Sequence, residues 1–379
     1  MDSLEEEIWK SRRERMNNAL ATAQAAEGQD RAKTYADARK LADVIKGADV
    51  EEFISEIKRL ANQTDLSAIF NFSGLWSGSL LHVAAAANKD DILRLLLDHV
   101  RDRLIAAKNE WGDTPLHMAA KAGGSRAAMM LICRARNLLN VEDKNLILRI
   151  KNRHGNTALH EAVLSGHLNM VRLLLREDLE PVYWKNVAEK SPLHLALDTK
   201  NSAIHEVLFS LSLEPSKIEG MSPVHGAIVR QDYELVAKIL QWNKKLFAMS
   251  DSEGHNVFHL GAYIKWSPLF DILLPEIEYL ARERDMNGDL PIHIAVKMGH
   301  VNLIKKLYPI SQLPNGQGQT VLHVAAKYGR ASAVRQILRH PELGEHINAV
   351  DHVGNTPLHL AAMHAQPAAL IHLLQDKRI

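Results

Sequence analysis

Nine histidines stand in nine near-copies of one short phrase. The phrases are SLLHVAA at His82, TPLHMAA at His117, TALHEAV at His160, SPLHLAL at His194, SPVHGAI at His225, NVFHLGA at His259, LPIHIAV at His293, TVLHVAA at His323 and TPLHLAA at His359. Successive histidines lie 35, 43, 34, 31, 34, 34, 30 and 36 residues apart. Recurrence at ~33 residues marks an array of small supersecondary units, each unable to bury its own apolar face, so that stacking builds the core. A chain of 379 residues would otherwise suggest two or three globular domains. Here the length counts layers.

Residues 152–175, NRHGNTALHEAVLSGHLNMVRLLL, show how a unit is written. Asn-Arg-His-Gly reads as a turn in which Gly155 takes a positive φ. Thr157 then stands where a helix N-cap hydroxyl accepts an orphan backbone N–H, and Pro115 and Pro357 occupy the first helical position of their own units. A short first helix ends at Ser165-Gly166, a C-terminal glycine stop. Leu168, Val171, Leu174 and Leu175 then fall on one face of a second helix. Pairs of alanines, such as Ala119-Ala120 and Ala325-Ala326, let neighbouring layers approach closely. The predicted fold is therefore an all-α solenoid of nine helix pairs.

Composition is consistent with this reading and narrows the function. Hydrophobic residues make up 46% of the chain, enough for a continuous core. The 46 Lys and Arg against 45 Asp and Glu leave a net charge of +1, so no excess of positive charge points to nucleic acid. The opening MDSLEEEIWKSRRER has no apolar h-region, and the longest apolar run, about eight residues, falls short of the ~20 that span a bilayer. These features predict a soluble intracellular chain. Cys133 is the only cysteine. Inside the helical run MMLICRA it is expected to be a buried, inert thiol, because apolar surroundings raise a thiol's pKa.

Residues 1–34 read as a charged N-terminal helix or flexible leader, 35–74 as a degenerate N-terminal capping repeat, and 75–379 as repeats one to nine. The gap of 43 residues after His117 holds an insertion, RARNLLNVEDKNLILRI, that lengthens the second helix or its following loop. Around His225 and His259 the phrase is weakest. Gly226 and Gly261 replace helix formers there, at up to ~1 kcal/mol each, so local stability is expected to be lowest in this region. No polar-faced terminal repeat follows LLQDKRI, which is expected of a piece of a longer protein.

The Thr-Pro-Leu-His-x-Ala phrase at this period resembles the ankyrin repeat. In that family the histidines hydrogen-bond the turn of their own unit and the backbone of the next. A finer resemblance rests on DVEEFISEIKRLANQTDLSAIFNFSGLWSGSLLHVAAAANKDDILRLLL, NEWGDTPLHMAAKAG, DMNGDLPIHIAVKMGHVNLIKKL, NGQGQTVLHVAAKYGR and VDHVGNTPLHLAAMHAQPAALIHLL. Together they look like the plant ankyrin proteins that carry a C-terminal PGG-type membrane domain, the accelerated-cell-death group. That resemblance spans about residues 45–379. It implies a non-catalytic region on the cytoplasmic side of a plasma or endomembrane, tethered by spans absent from this sequence and acting in defence and cell-death signalling.

Nine spaced histidines do not make a metal centre, because ligands must converge within ~2 Å of one ion whereas stacked helices lie ~10 Å apart. His160-Glu161 lacks the second histidine of a zincin, with Leu164 in its place. Gly316-Gln-Gly318 lacks the third glycine of a dinucleotide loop, and no nucleophile elbow appears. No catalytic, cofactor or metal residue is expected. Side chains that the scaffold does not need are the better candidates. Trp111, Tyr263, Trp266 and Tyr328 are aromatic anchors of the type enriched at interfaces, although packing against a neighbouring layer is the leading role for Trp266. His154, His255 and His352 occupy turn tips, as does Glu253. Lys121, Lys265, Lys297 and Lys327 suggest a basic stripe. The expected partner is a protein or peptide on the concave face and tips. The alternative is a self-associating sensor or gate of a channel-like membrane assembly.

Overall fold

The computed structural model describes residues 3–21, 31–61, 64–75, 77–138, 144–309, 313–340 and 347–378. Among them no β-strand is found and one isolated bridge joins Leu75 and Gly78. Two compact units are present, Met1–Leu208 and Phe209–Ile379.

The first unit opens with three helices, α1 (Ser3–Ala21), α2 (Arg31–Gly47) and α3 (Val50–Ala61). The α2–α3 pair packs on the first repeat pair, Leu80–Ala86 and Asp90–His99, with Leu41, Ile45, Phe53 and Ile57 fully buried. Helix α1 lies on α3. Arg12 bonds Glu51 at 2.8 Å and Asp91 at 3.1 Å, and Arg15 bonds Glu51 at 2.6 Å. Behind these ion pairs Met16 is fully buried. Three further first helices follow, Pro115–Ala122, Ala158–Leu164 and Pro192–Ala196, and consecutive ones pack side by side.

The second unit repeats the plan five times, with first helices Pro223–Val229, Val257–Tyr263, Pro291–Lys297, Val321–Lys327 and Pro357–Met363, again packed in order. Most of their apolar positions are buried, and so are inward-facing residues of the second helices such as Leu269, Phe270 and Leu273.

The insertion after His117 lies in the first unit. Ser125–Arg136 is the second helix there, and a short helix, Leu146–Arg149, follows; residues 139–143 are outside the described set. Arg136 reaches Glu177, and Arg149 bonds Asp178 at 2.7 Å, so the insertion is tied to the next layer by two ion pairs.

Two expectations are corrected. Cys133 is exposed: Ala127, Ala128, Leu131 and Ile132 form the buried stripe of its helix, and residue 133 turns off that stripe. Gly261 is no defect either. A Cβ there would stand 2.5 Å from Leu269 Cδ2 and 3.2 Å from Phe270 Cε2, so the glycine lets the second helix pack directly on the first.

Candidate interaction surface

The repeated phrase builds the scaffold, and its geometry decides which residues remain free. In His160 the ring Nδ1 lies 3.2 Å from the Thr157 backbone nitrogen and 2.9 Å from its hydroxyl. The Thr157 N–H donates, so Nδ1 is an acceptor and the proton sits on Nε2. Nε2 then donates to the Trp184 carbonyl across 3.0 Å. The same two-sided arrangement holds for His82 with Ser79 and Asp113, His117 with Thr114 and Asn156, His259 with Asn256 and Asp289, His293 with Leu290 and Gln319, and His323 with Thr320 and Asn355. Burial lowers the pKa of His82, His259 and His293 to about 4 and of His160 to about 3, against the pull of the carbonyl acceptors. Each histidine is a neutral pin between layers.

Three departures are informative. His225 donates to the His255 carbonyl at 2.9 Å, but its buried Nδ1 has no hydrogen bond. At His194 the backbone N–H donates to Ser191 Oγ at 3.4 Å. His359 is exposed, with Nδ1 held by Thr356 at 2.8 Å.

Turn tips are joined by backbone hydrogen bonds: Arg153 N–H to Trp111, Val187 N–H to His154, Met286 N–H to Glu253 and His352 N–H to Gln317, at 2.9–3.0 Å. The side chains of these tips are therefore available. Trp111 is 50% exposed, and Val187, Met286 and Val353 are more so. His154 and Glu253 project from their tips, whereas the His352 ring rests on Gly318.

A second set of free side chains stands four residues after the histidine, at the end of each first helix. In the second unit this position holds Val229, Tyr263, Lys297, Lys327 and Met363; Val229, Tyr263 and Met363 are about 60–68% exposed. In the first unit it holds Ala86, Lys121, Leu164 and Asp198. Lys121 is already engaged. Its ammonium pairs with Asp113 and stands 3.9 Å from Glu161, in a buried network with Asn152 and Asn156. Lys265 is two residues further on, at a left-handed φ of 62°. The lysines thus do not form one stripe. Lys297 and Lys327 do meet, their ammonium groups 5.2 and 5.8 Å from the Tyr328 ring centroid. Trp266 is buried, 6% exposed, beneath the start of helix Ser267–Ile277, so it packs and offers no contact.

Between two tips of the second unit lies a groove of about 380 Å³ that brings together Glu253, His255, Tyr263, Asp285, Asp289 and Lys297. Asp251 Oδ1 accepts the N–H groups of Glu253 and His255, and Asp285 Oδ1 those of Asn287 and Asp289, all at 2.8–2.9 Å. The His255 ring bridges the tips: Nδ1 is 3.2 Å from Asp251 Oδ2 and 3.7 Å from Glu253, and Nε2 is 3.3 Å from Asp285 Oδ2. Burial opposes the charge on Asp251, yet the N–H donors and His255 outweigh it and hold that carboxyl below its usual value. For Asp289 burial wins, aided by Asp285, and its pKa is raised. Sequence reading misses Asp285 and Asp289 because aspartate is an ordinary turn residue; only the fold shows that two turns face one groove.

Residues 50–143, 81–183 and 129–218 match the family described as ankyrin repeats (3 copies), and 309–361 match ankyrin repeats (many copies). These matches cover more than half of the chain, and the layered helix pairs agree with them. The chain belongs to the ankyrin-repeat family. It is similar to human transient receptor potential cation channel subfamily A member 1, 24% identical over 80% of this chain and 31% of that protein. It is also similar to mouse NF-kappa-B inhibitor zeta, 24% identical over 69% of this chain and 31% of that protein. Drosophila melanogaster tyrosine-protein kinase Shark matches at 29% identity over 44% of this chain and 16% of its own length. The chain thus spans about a third or less of these relatives. Ankyrin repeats are protein-interaction modules, and this chain is an interaction region of that kind. Among the described residues no helix is long and apolar enough to cross a membrane.

Proposed function

We propose that this ankyrin region is the cytosolic, partner-recruiting part of a membrane-tethered plant defence and cell-death signalling protein. It binds a protein or peptide through its turn tips and the ends of its first helices. The observation that carries this reading is the division of labour within each unit. The phrase histidines are spent on the scaffold, while the side chain four residues later is exposed at Val229, Tyr263 and Met363 of the second unit. Resemblance to the PGG-domain group supports the plant membrane setting, and the NF-kappa-B inhibitor among its relatives supports a protein partner.

Replacing Trp111, Tyr263 and Tyr328 together by alanine tests it. Partner capture from plant tissue is lost while the circular dichroism spectrum is kept. Unchanged capture of every partner refutes the proposal.

A second reading is favoured by the alignment of 80% of this chain with a cation-channel subunit: the repeats act as a self-associating sensor or gate within a channel-like assembly. Native mass spectrometry distinguishes the two, since self-association gives an oligomer that persists on dilution and partner recruitment does not require one.

A further inference from the structure

Three arginines of the first unit converge on one hollow. It holds about 510 Å³ between α2, the loop at 71–74 and the short turn at 101–103. Arg31, Arg101 and Arg103 line it, all exposed, and among the described residues no acid pairs with them. Elsewhere in this unit arginines find acids: Arg12 bonds Glu51, Arg59 bonds Glu56 and Arg149 bonds Asp178. Here the nearby acids are already used. Asp102 pairs with Arg134 at 2.9 Å. Asp65 caps the helix Leu66–Phe70, accepting the N–H groups of Ser67 and Ala68 at 2.9 and 3.4 Å. The lining keeps an excess of two positive charges.

The backbone adds donors that do not depend on those side chains. Ser73 and Gly74 line the same hollow, and their N–H groups meet no acceptor among the described residues. The walls are held together: the Arg101 N–H donates to Asn71 Oδ1 at 2.8 Å, and the Phe72 ring meets Tyr35 of α2 edge-on, centroids 6.1 Å apart. Donors without acceptors on both walls fit an anion with several oxygens. Beyond the Tyr35–Phe72 pair lies a second hollow of about 460 Å³, lined by Tyr35, Leu75 and the half-exposed Trp111.

We infer that the first hollow takes the phosphate of a phosphorylated serine or threonine in a partner peptide, an inference that rests on the reading of the chain as a peptide-binding region. A phosphomonoester carries about −1.5 to −2 charge and three acceptor oxygens, which matches the excess charge and the donors on both walls. Arginine forks pair bidentately with phosphate. A carboxylate brings one charge and two oxygens and leaves part of the donor set unused. The second hollow favours a peptide over a free headgroup. An extended chain places side chains two or three residues apart at about 7–11 Å, enough to straddle one ring pair, so an apolar residue of the same segment reaches Trp111.

The test uses the whole chain and two degenerate peptide libraries, one with a central phosphoserine and one with serine in its place. Affinity selection is followed by fluorescence anisotropy on the enriched sequences. Phosphorylated peptides are enriched, with an apolar residue favoured two or three positions from the phosphoserine. Removing the phosphate weakens binding about tenfold or more, which corresponds to ~1.4 kcal/mol. Arg101→Ala combined with Arg103→Ala gives a comparable loss, as does Arg31→Glu alone, while the circular dichroism spectrum is kept. Trp111→Ala removes the apolar preference and keeps the phosphate dependence. Arg172→Ala, at an exposed arginine outside the hollow, changes nothing. Equal binding of both libraries, or phosphopeptide binding indifferent to the arginine variants, overturns the phosphate site and leaves the peptide-binding reading standing. Enrichment of unphosphorylated peptides alone, with capture of phosphatidylcholine vesicles doped with phosphatidylinositol phosphate, assigns the hollow to a headgroup and overturns it as well. No enrichment from either library overturns both readings.

Discussion

His160 reaches one layer forward, its Nε2 lying 3.0 Å from the Trp184 carbonyl oxygen while Nδ1 accepts from Thr157 in its own layer. A buried pin of this kind loses two hydrogen bonds and its packing when truncated. His160→Ala is expected to cost about 2–4 kcal/mol. His359→Ala, at an exposed ring that bonds Thr356 of its own unit, is expected to cost about 1 kcal/mol or less. Urea denaturation of the two variants checks the contrast.

The same pins make stability depend on pH. Unfolded histidine titrates near ~6.5, whereas burial holds His82, His259 and His293 at about 4 and His160 at about 3 in the folded chain. Between those values the unfolded chain binds more protons, so stability rises with pH. The contribution is complete above pH ~6.5 and is lost as pH falls towards ~4. Melting temperature is expected to drop steeply from pH 7 to pH 5, and a flat profile there contradicts the assignment.

Gly261 separates packing from propensity. Helix propensity alone makes Gly261→Ala stabilising by up to ~1 kcal/mol. The Cβ would meet Leu269 Cδ2 at 2.5 Å, and overpacking of this sort costs about 1–3 kcal/mol. A net loss of stability in thermal unfolding is the expected result.

Lys265 presents the opposite case. It holds a φ of 62° at the position where Gly123, Gly166, Gly299 and Gly329 stand in other units. A left-handed conformation costs a side-chain-bearing residue about 1–2 kcal/mol, so Lys265→Gly is expected to raise stability by about 0.5–1 kcal/mol, read from the shift in urea midpoint.

Much of the fold was legible because the phrase states local geometry directly. The threonine or serine cap, the proline after it, the histidine and the left-handed glycines such as Gly155, whose Cβ would meet Val187 N at 2.8 Å, each answer a requirement within a dozen residues. Interactions that cross layers were not legible. Lys121 and Lys327 look alike in sequence, yet the first is locked between Asp113 and Glu161 and the second lies beside Tyr328. Cys133 sits in an apolar run, but the helix buries Leu131 and Ile132 and turns residue 133 outwards. Trp266 and Tyr263 are three residues apart and differ tenfold in exposure, because one lies under the second helix and the other at the open end of the first. Glu253 and Tyr263 were each legible as candidates; the groove they share with Asp285 depends on how two turns stack.

The central claim is that partners are met by the tips and first-helix ends, with the phrase histidines confined to the scaffold. Hydrogen–deuterium exchange of the bound complex tests it most directly. The account predicts new protection at 251–255, 260–265 and 285–289 on partner binding, with the second helices unchanged. Protection confined to the outer faces of the second helices, such as Ser267–Ile277 and Ala331–Arg339, would contradict it.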